Sequence, residues 1–139
     1  MSSALENLCG PGKPLKAESP DAAEIAGLLR SAQGRLKDAA RKDLTLDSRF
    51  DLAYGAAHAL CLAALRRRGY RATQRYIVFQ VLPHTLGLGP EVWRVLSRCH
   101  DMRNLAEYEG ESHATEELVE ELIAICRQVV RKLKEPTAA

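Results

Sequence analysis

A group of polar residues interrupts an otherwise apolar helical pattern near position 100. The segment reads Cys99-His100-Asp101-Met102-Arg103-Asn104-Leu105-Ala106-Glu107-Tyr108-Glu109-Gly110. At about 100° per residue, five polar side chains fall on one side of this helix: His100, Arg103, Asn104, Glu107 and Tyr108. Side chains of these types can form a buried polar network, bind phosphate or assist proton transfer. The segment is therefore a candidate site.

A second polar stripe lies earlier in the chain. Asp51, Tyr54 and His58 recur at spacings of three and four, so they share one helix face. Leu62 and Leu65 continue that face as apolar residues, which indicates that the stripe enters a helical bundle from one end. If the two helices are neighbours, the two polar sets converge.

Metal and cofactor chemistry have no supporting pattern. Asp51 and Glu107 are a carboxylate pair, but no His-x-x-x-His or Glu-x-x-His pattern accompanies them. Gly12-Lys13 is not a phosphate-binding loop, because the glycine five residues earlier is missing and Pro14 replaces the hydroxyl residue. We therefore expect neither a metal nor a cofactor.

The composition predicts one globular domain. The chain has 139 residues, of which 46% are hydrophobic and 27% are charged. The formal net charge of +2 argues against a strongly basic duplex binder. Five cations nevertheless crowd one junction: Arg66, Arg67, Arg68, Arg71 and Arg75. They either meet a phosphate or, as we favour, form a solvated helix end.

The cysteines and the hydropathy indicate a cytoplasmic protein. The four cysteines (Cys9, Cys61, Cys99 and Cys126) show no Cys-x-x-Cys spacing. Three of them fall on apolar helix faces, where a free thiol packs as a small hydrophobe, so we expect a reducing compartment. No apolar run approaches eighteen residues and no signal peptide is recognisable, so no membrane span is expected.

Periodicity and capping residues predict helices and no strand. We expect a flexible N-terminal tail over residues 1–18, loose or partly docked, and a single helical-bundle domain over residues 19–136. The predicted helices run from Ser19-Pro20-Asp21 to about Lys42, from near Asp47 to Arg68, from Thr73 to about Leu82, from Pro90 to Gly110, and from Thr115 to before Pro136. The predicted fold is an all-α, antiparallel four-helix up-and-down bundle with an additional short helix.

The two polar stripes also carry a family resemblance. Arg49-Phe50-Asp51-Leu52-Ala53-Tyr54-Gly55-Ala56-Ala57 resembles the second helix of HEPN domains. Arg103-Asn104-Leu105-Ala106-Glu107-Tyr108 resembles the family's hallmark, an Arg usually followed by Asn, with a His four to six residues on. The resemblance covers roughly residues 20 to 134 and implies a helical bundle that is frequently a homodimer. Many HEPN proteins are toxins that cut RNA without metal, or sit beside small nucleotidyltransferases.

The chain departs from that hallmark at Tyr108, which stands where the nuclease-type motif has a catalytic His. An ordinary Tyr has a pKa of about 10 and is a poor general base at pH 7, whereas His at about 6.5 is well suited. Arg103 has the bidentate fork to stabilise a developing phosphorane charge. His58, His100 (paired with Arg94) and His113 are the alternative proton acceptors in the sequence.

Three functions compete. We favour a dimeric, non-catalytic HEPN-like module that binds a nucleotide, an RNA phosphate or a protein such as an antitoxin or nucleotidyltransferase. Asp51, Tyr54, His100 and Glu107 would then form the binding network. The alternative is a metal-independent endoribonuclease toxin, with its catalytic set drawn from Arg103, Asn104, Tyr108 and His58. The third is a structural bundle, which predicts no stabilisation by nucleotides or RNA.

Overall fold

Four long helices dominate the structure. The computed structural model describes residues 3–135. In chain order the elements are α1 (Ala4–Asn7), β1 (Leu15–Ala17), α2 (Ala22–Ala39), α3 (Leu46–Arg67), β2 (Tyr70–Ala72), α4 (Ile77–Gln80), α5 (Leu82–Thr85), α6 (Pro90–Glu109) and α7 (Glu116–Lys134). The prediction of a mainly helical fold is confirmed.

Polar caps define the ends of the long helices. The side chains of Thr45 and Thr115 accept hydrogen bonds from backbone N–H groups in the first turns of α3 and α7. Asp21, rather than Ser19, caps α2 in the same way. Gly110 ends α6 with φ of 87°, a left-handed conformation that costs glycine little. The first predicted helix is shorter than expected and ends at Ala39.

Helix α3 lies at the centre of the core and packs against α2, α6 and α7. Its inner faces are built largely from small side chains that are almost fully buried: Ala53, Ala56, Ala57, Ala63 and Ala64. Small residues let neighbouring helix axes approach closely. The close packing holds the larger polar side chains of α3, such as Tyr54, in fixed positions between α3 and the helices around it.

The structure adds a small sheet that was not predicted. Strands β1 and β2 pair antiparallel, with Leu15 opposite Ala72 and Ala17 opposite Tyr70. The described part of the predicted flexible tail is therefore docked, and Leu15 is fully buried in the core. Local periodicity could not reveal this pairing, because the two strands are separated by α2 and α3.

The short third helix is also different from its prediction. Of the segment predicted as one helix from Thr73 to Leu82, Ile77–Gln80 forms a single helical turn, α4, and a second turn, α5, begins only at Leu82. Pro83 lies in the first turn of α5, where its missing N–H costs nothing but where it prevents one continuous helix. Phe79, in the segment with strand-like propensity, is fully buried in α4.

Neither interpretation of the arginine cluster is correct, because internal partners occupy most of it. Arg66 is 1% exposed, and its guanidinium donates to the Glu24 carboxylate at 2.6 Å and to the Ser19 carbonyl at 2.7 Å. Arg71 donates to the carboxylates of Glu18 and Glu24, each at 2.7 Å. These arginines hold the chain between β1 and α2 against the end of α3.

The cysteines are free thiols, and Cys61, Cys99 and Cys126 are buried as predicted. Burial raises the pKa of the Cys99 thiol to about 12. None of the helices in residues 3–135 combines the length and apolarity needed to cross a membrane.

Candidate functional site

A hydrogen-bonded cluster joins α3 to α6. The phenol oxygen of Tyr54 lies 2.9 Å from Nδ1 of His100. One turn further along α6, Nδ2 of Asn104 lies 3.1 Å from Nε2 of the same imidazole. Tyr76 stacks on the ring of His100 with centroids 4.3 Å apart and planes inclined by 15°. We call Tyr54, Tyr76, His100 and Asn104 the imidazole cluster.

The partners of His100 occupy both of its ring nitrogens. With the Asn104 amide oriented so that Nδ2 faces the ring, Nε2 accepts, the ring proton is on Nδ1, and His100 donates to Tyr54. The hydroxyl of Tyr76 donates to Oγ of Ser97 at 2.7 Å, which anchors the stacking ring to α6. Both imidazole nitrogens are therefore engaged, and neither is free to accept a substrate proton.

Burial and a neighbouring cation keep this cluster uncharged at neutral pH. Burial lowers the pKa of His100, and the positive charge of Arg75 lowers it further, against the opposing effect of Asp101. Burial raises the pKa of Tyr54, although Arg75 opposes that shift. The guanidinium of Arg75 lies 5.7 Å from the centroid of the Tyr54 ring. His100 is thus a neutral hydrogen-bonding residue.

A second cluster surrounds Arg103. Its Nε lies 3.6 Å from a carboxylate oxygen of Asp51, and its Nη1 lies 3.4 Å from a carboxylate oxygen of Glu107. The Arg103 side chain is 36% exposed, so the pairs are reachable by solvent. We call these three residues the guanidinium cluster. Two carboxylates oppose one cation, so the cluster carries a formal charge of −1.

The end of α6 is strongly acidic. Between positions 101 and 111 the chain has four carboxylates (Asp101, Glu107, Glu109 and Glu111) and one guanidinium, which gives a formal charge of −3 with His100 neutral. Three of these acids lie outside the guanidinium cluster, and all four are exposed. A negative surface of this kind repels phosphate groups and attracts basic ones.

Tyr108 does not join Arg103 and Asn104, although the sequence pattern placed it with them. Five residues at about 100° each put Tyr108 about 140° around α6 from Arg103. The Tyr108 side chain is 91% exposed, and Leu105, on the same face, is 51% exposed. These are the large hydrophobic residues left exposed in residues 3–135. The end of α6 thus pairs an apolar surface with an acidic rim.

His58 also lies apart from the guanidinium cluster. Its ring stands edge-on to Phe79, with centroids 6.0 Å apart, and its Nε2 is buried without a hydrogen-bond partner in the described chain. Burial lowers the pKa of His58 to about 4, and the charge of Arg75 contributes. The two polar stripes of the sequence meet through the Arg103–Asp51 pair and the Tyr54–His100 contact, and His58 takes part in neither.

The other histidine candidates also lie outside both clusters. His113 pairs with Glu109 at 2.8 Å in the loop after α6, and Arg94 is exposed near the start of that helix. Within residues 3–135, no group of three His, Cys, Asp or Glu side chains is arranged to hold a metal ion.

Sequence reasoning missed two members of this region. Tyr76 stacks on His100 from the segment before α4, and Arg75 beside it faces the Tyr54 ring. Arg75 was noted in the sequence as one of the five crowded arginines. Nothing in that pattern indicated that it lies beside the cluster between α3 and α6. Tyr76 had no signal in the sequence, because its neighbours Ile77-Val78-Phe79 have strand-like propensity.

Comparisons of the chain with protein-family models, with curated proteins and with solved structures found no match.

Proposed function

We propose that the chain is a cytoplasmic, HEPN-like helical-bundle module that binds protein and self-associates, without ribonuclease activity. The observation that carries this proposal is the end of α6, where Leu105 and Tyr108 are exposed beside an acidic rim. Exposed aromatic and aliphatic side chains in one patch are typical of protein-binding surfaces.

The electrostatics of the guanidinium cluster favour protein over phosphate. A phosphate that approached Arg103 would have to displace the carboxylates of Asp51 and Glu107. The further acids along the end of α6 add to the repulsion. A basic or hydroxyl-rich protein surface meets no such barrier.

The imidazole cluster is a poor general base. His100 has partners on both ring nitrogens, and catalysis would require one of those hydrogen bonds to break. Tyr108 is too far around α6 to replace it, and the unpartnered nitrogen of His58 is buried. The cluster instead supports a positioning role, in which it holds α6 at a fixed rotation against α3.

Two assays on the purified protein test this proposal. The first incubates the wild type and Arg103→Ala with end-labelled RNA in EDTA at pH 7.5. The second measures the melting temperature with added ATP, GTP and single-stranded RNA, since ligands of the native state raise it. We expect no cleavage and no shift in melting temperature. Cleavage or stabilisation that disappears in Arg103→Ala would overturn the proposal in favour of the metal-independent ribonuclease.

A further inference from the structure

A shallow groove of about 530 Å³ lies between α2 and α7. Its lining combines an apolar floor with a cationic rim: Leu36, Ala40 and Val130 with Lys37, Arg127 and Arg131, beside Gln33. We call this the basic groove. Since α2 and α7 both pack on α3, the groove is the natural position for one further helix.

The cations of the basic groove are uncommitted. Lys37, Arg127 and Arg131 are exposed, and none of them forms an ion pair with another residue in the part of the chain that the structure describes. The adjoining cavity differs, because Lys42 there is paired with Glu116 and Glu120. The basic groove therefore carries three exposed cations without an acidic partner, and these favour an acidic occupant.

The same chain carries a surface with the complementary properties. We call Asp101, Leu105, Tyr108 and Glu109 the α6 tip. These residues fall on one side of α6 and combine two exposed hydrophobic side chains with carboxylates. The groove offers an apolar floor inside a ring of cations, so both the apolar and the charged parts of the two surfaces match.

We propose that the α6 tip of one copy docks in the basic groove of a second copy. Tyr108 and Leu105 pack on Val130 and Leu36, while the carboxylates of the tip face Lys37, Arg127 and Arg131. This inference rests on the proposed protein-binding function of the end of α6 and names its partner surface.

Two different surfaces meet, and such a pairing is completed in one of two ways. In a two-fold dimer the tip of each copy fills the groove of the other, whereas in a head-to-tail arrangement each docked pair retains one free tip and one free groove, and association continues as a closed ring or an open chain. In both arrangements self-association rises with protein concentration. It weakens in high salt, since the Debye length falls from about 10 Å at 0.1 M to about 3 Å at 1 M.

Sedimentation velocity on the purified chain tests the inference with two variants. Leu105→Ser/Tyr108→Ser removes the tip, and Lys37→Glu/Arg131→Glu reverses two rim charges of the groove. Each variant alone should associate at least tenfold more weakly than the wild type. An equimolar mixture should form a 1:1 heterodimer and stop there, because the tip of one variant and the groove of the other remain intact.

A matched control uses the same helix. Arg35→Glu reverses an exposed cation of α2 that donates a hydrogen bond to Ser31, outside the groove, and this variant should associate like the wild type. Circular dichroism melts confirm that each variant is folded.

The outcomes separate this inference from the proposed function. A wild type that stays monomeric at several hundred micromolar overturns the docking of two copies and the self-association in the proposed function, but it leaves the binding of a different protein by the end of α6 standing. The docking is also overturned if the tip variant fails to associate while the groove variant associates like the wild type. That result leaves protein binding by the end of α6 standing. Arg103-dependent cleavage of RNA overturns the proposed function whatever the state of association.

Discussion

Tyr54 and His100 form a direct polar link between α3 and α6, with 2.9 Å between the phenol oxygen and Nδ1. This contact supports one rotation of α6 about its own axis. Cys99, beside His100, points into the core, and the opposite face carries Leu105 and Tyr108 into solvent. The buried side chains of α6 and the partly buried Tyr54–His100 hydrogen bond therefore support the same rotation of the helix.

Tyr54→Phe tests this link. The substitution keeps the ring but removes the hydroxyl, which leaves Nδ1 of His100 without its partner. We expect the free energy of unfolding at pH 7 to fall by about 1–2 kcal/mol, the usual cost of a lost partly buried hydrogen bond. Urea denaturation measures the change, and the ¹⁵N shifts of His100 report its tautomer. Tyr108→Phe is the control and should be neutral, because that side chain is 91% exposed.

The unpartnered nitrogen of His58 predicts a pH-dependent stability. Burial lowers the pKa of His58 to about 4 in the folded protein, against about 6.5 in the unfolded chain. Between these values the unfolded state binds the extra proton, so stability is lost as the pH falls from 7 toward 4. Allowing for partial exposure of the ring, His58 should account for about 1 kcal/mol of the loss between pH 7 and pH 5.

Urea denaturation of His58→Leu at pH 7 and pH 5 measures that contribution. Nε2 has no partner to lose, but the ring also forms a backbone hydrogen bond at Arg75, so the apolar replacement should cost about 1 kcal/mol at pH 7 and should flatten the dependence on pH. His84→Leu, at an exposed position in α5, should keep the dependence of the wild type. A His58→Leu protein as sensitive to pH as the wild type would show that other groups cause the effect.

The helices and the two polar stripes could be predicted from the sequence because their signals are local. Thr45, Thr115 and Gly110 mark helix ends by their own backbone preferences, and Tyr54 and His100 take their faces from helical spacing. Helical spacing alone does not fix the rotation of α6 about its axis. A polar face wide enough to include Arg103 also includes Tyr108. The buried positions Leu96 and Cys99 settle that rotation and leave Tyr108 outside.

The missed features all join residues that are distant in sequence. Arg66 finds its partner Glu24 across 42 positions, and Leu15 pairs with Ala72 between two strands of three residues each. Short strands and single buried cations have no periodicity to detect. The same arginine-rich sequence is consistent with a phosphate site, a solvated helix end or an internal anchor. Only the tertiary contacts of these arginines distinguish the three.

Arg66→Met tests the internal anchor. The side chain is nearly fully buried and donates to a carboxylate and to backbone carbonyls, including those of Glu18 and Ser19. Methionine fills part of the space but leaves these acceptors unpaired, so we expect a loss of about 3 kcal/mol in unfolding free energy. Amide hydrogen exchange should show the greatest loss of protection in β1 and β2. Arg30→Met, at an exposed position in α2, should change stability by less than about 0.5 kcal/mol.

The final prediction concerns the carboxylates that neutralise Arg103. If Asp51 and Glu107 are what exclude phosphate, then Asp51→Asn/Glu107→Gln should raise the affinity for single-stranded RNA at 50 mM salt by tenfold or more. The double substitution removes two negative charges beside Arg103, so the local net charge rises by two. It leaves the guanidinium without an acidic partner in its cluster. Fluorescence anisotropy with labelled RNA measures the affinity.

The triple variant that adds Arg103→Ala identifies the source of the gain. It keeps both amide substitutions but has no guanidinium, so its affinity should return close to that of the wild type. Raising the salt to 500 mM should also abolish the gain, because binding through phosphate contacts falls steeply with salt. If the double variant binds RNA no better than the wild type, then the carboxylates of Asp51 and Glu107 are not what keeps phosphate from Arg103.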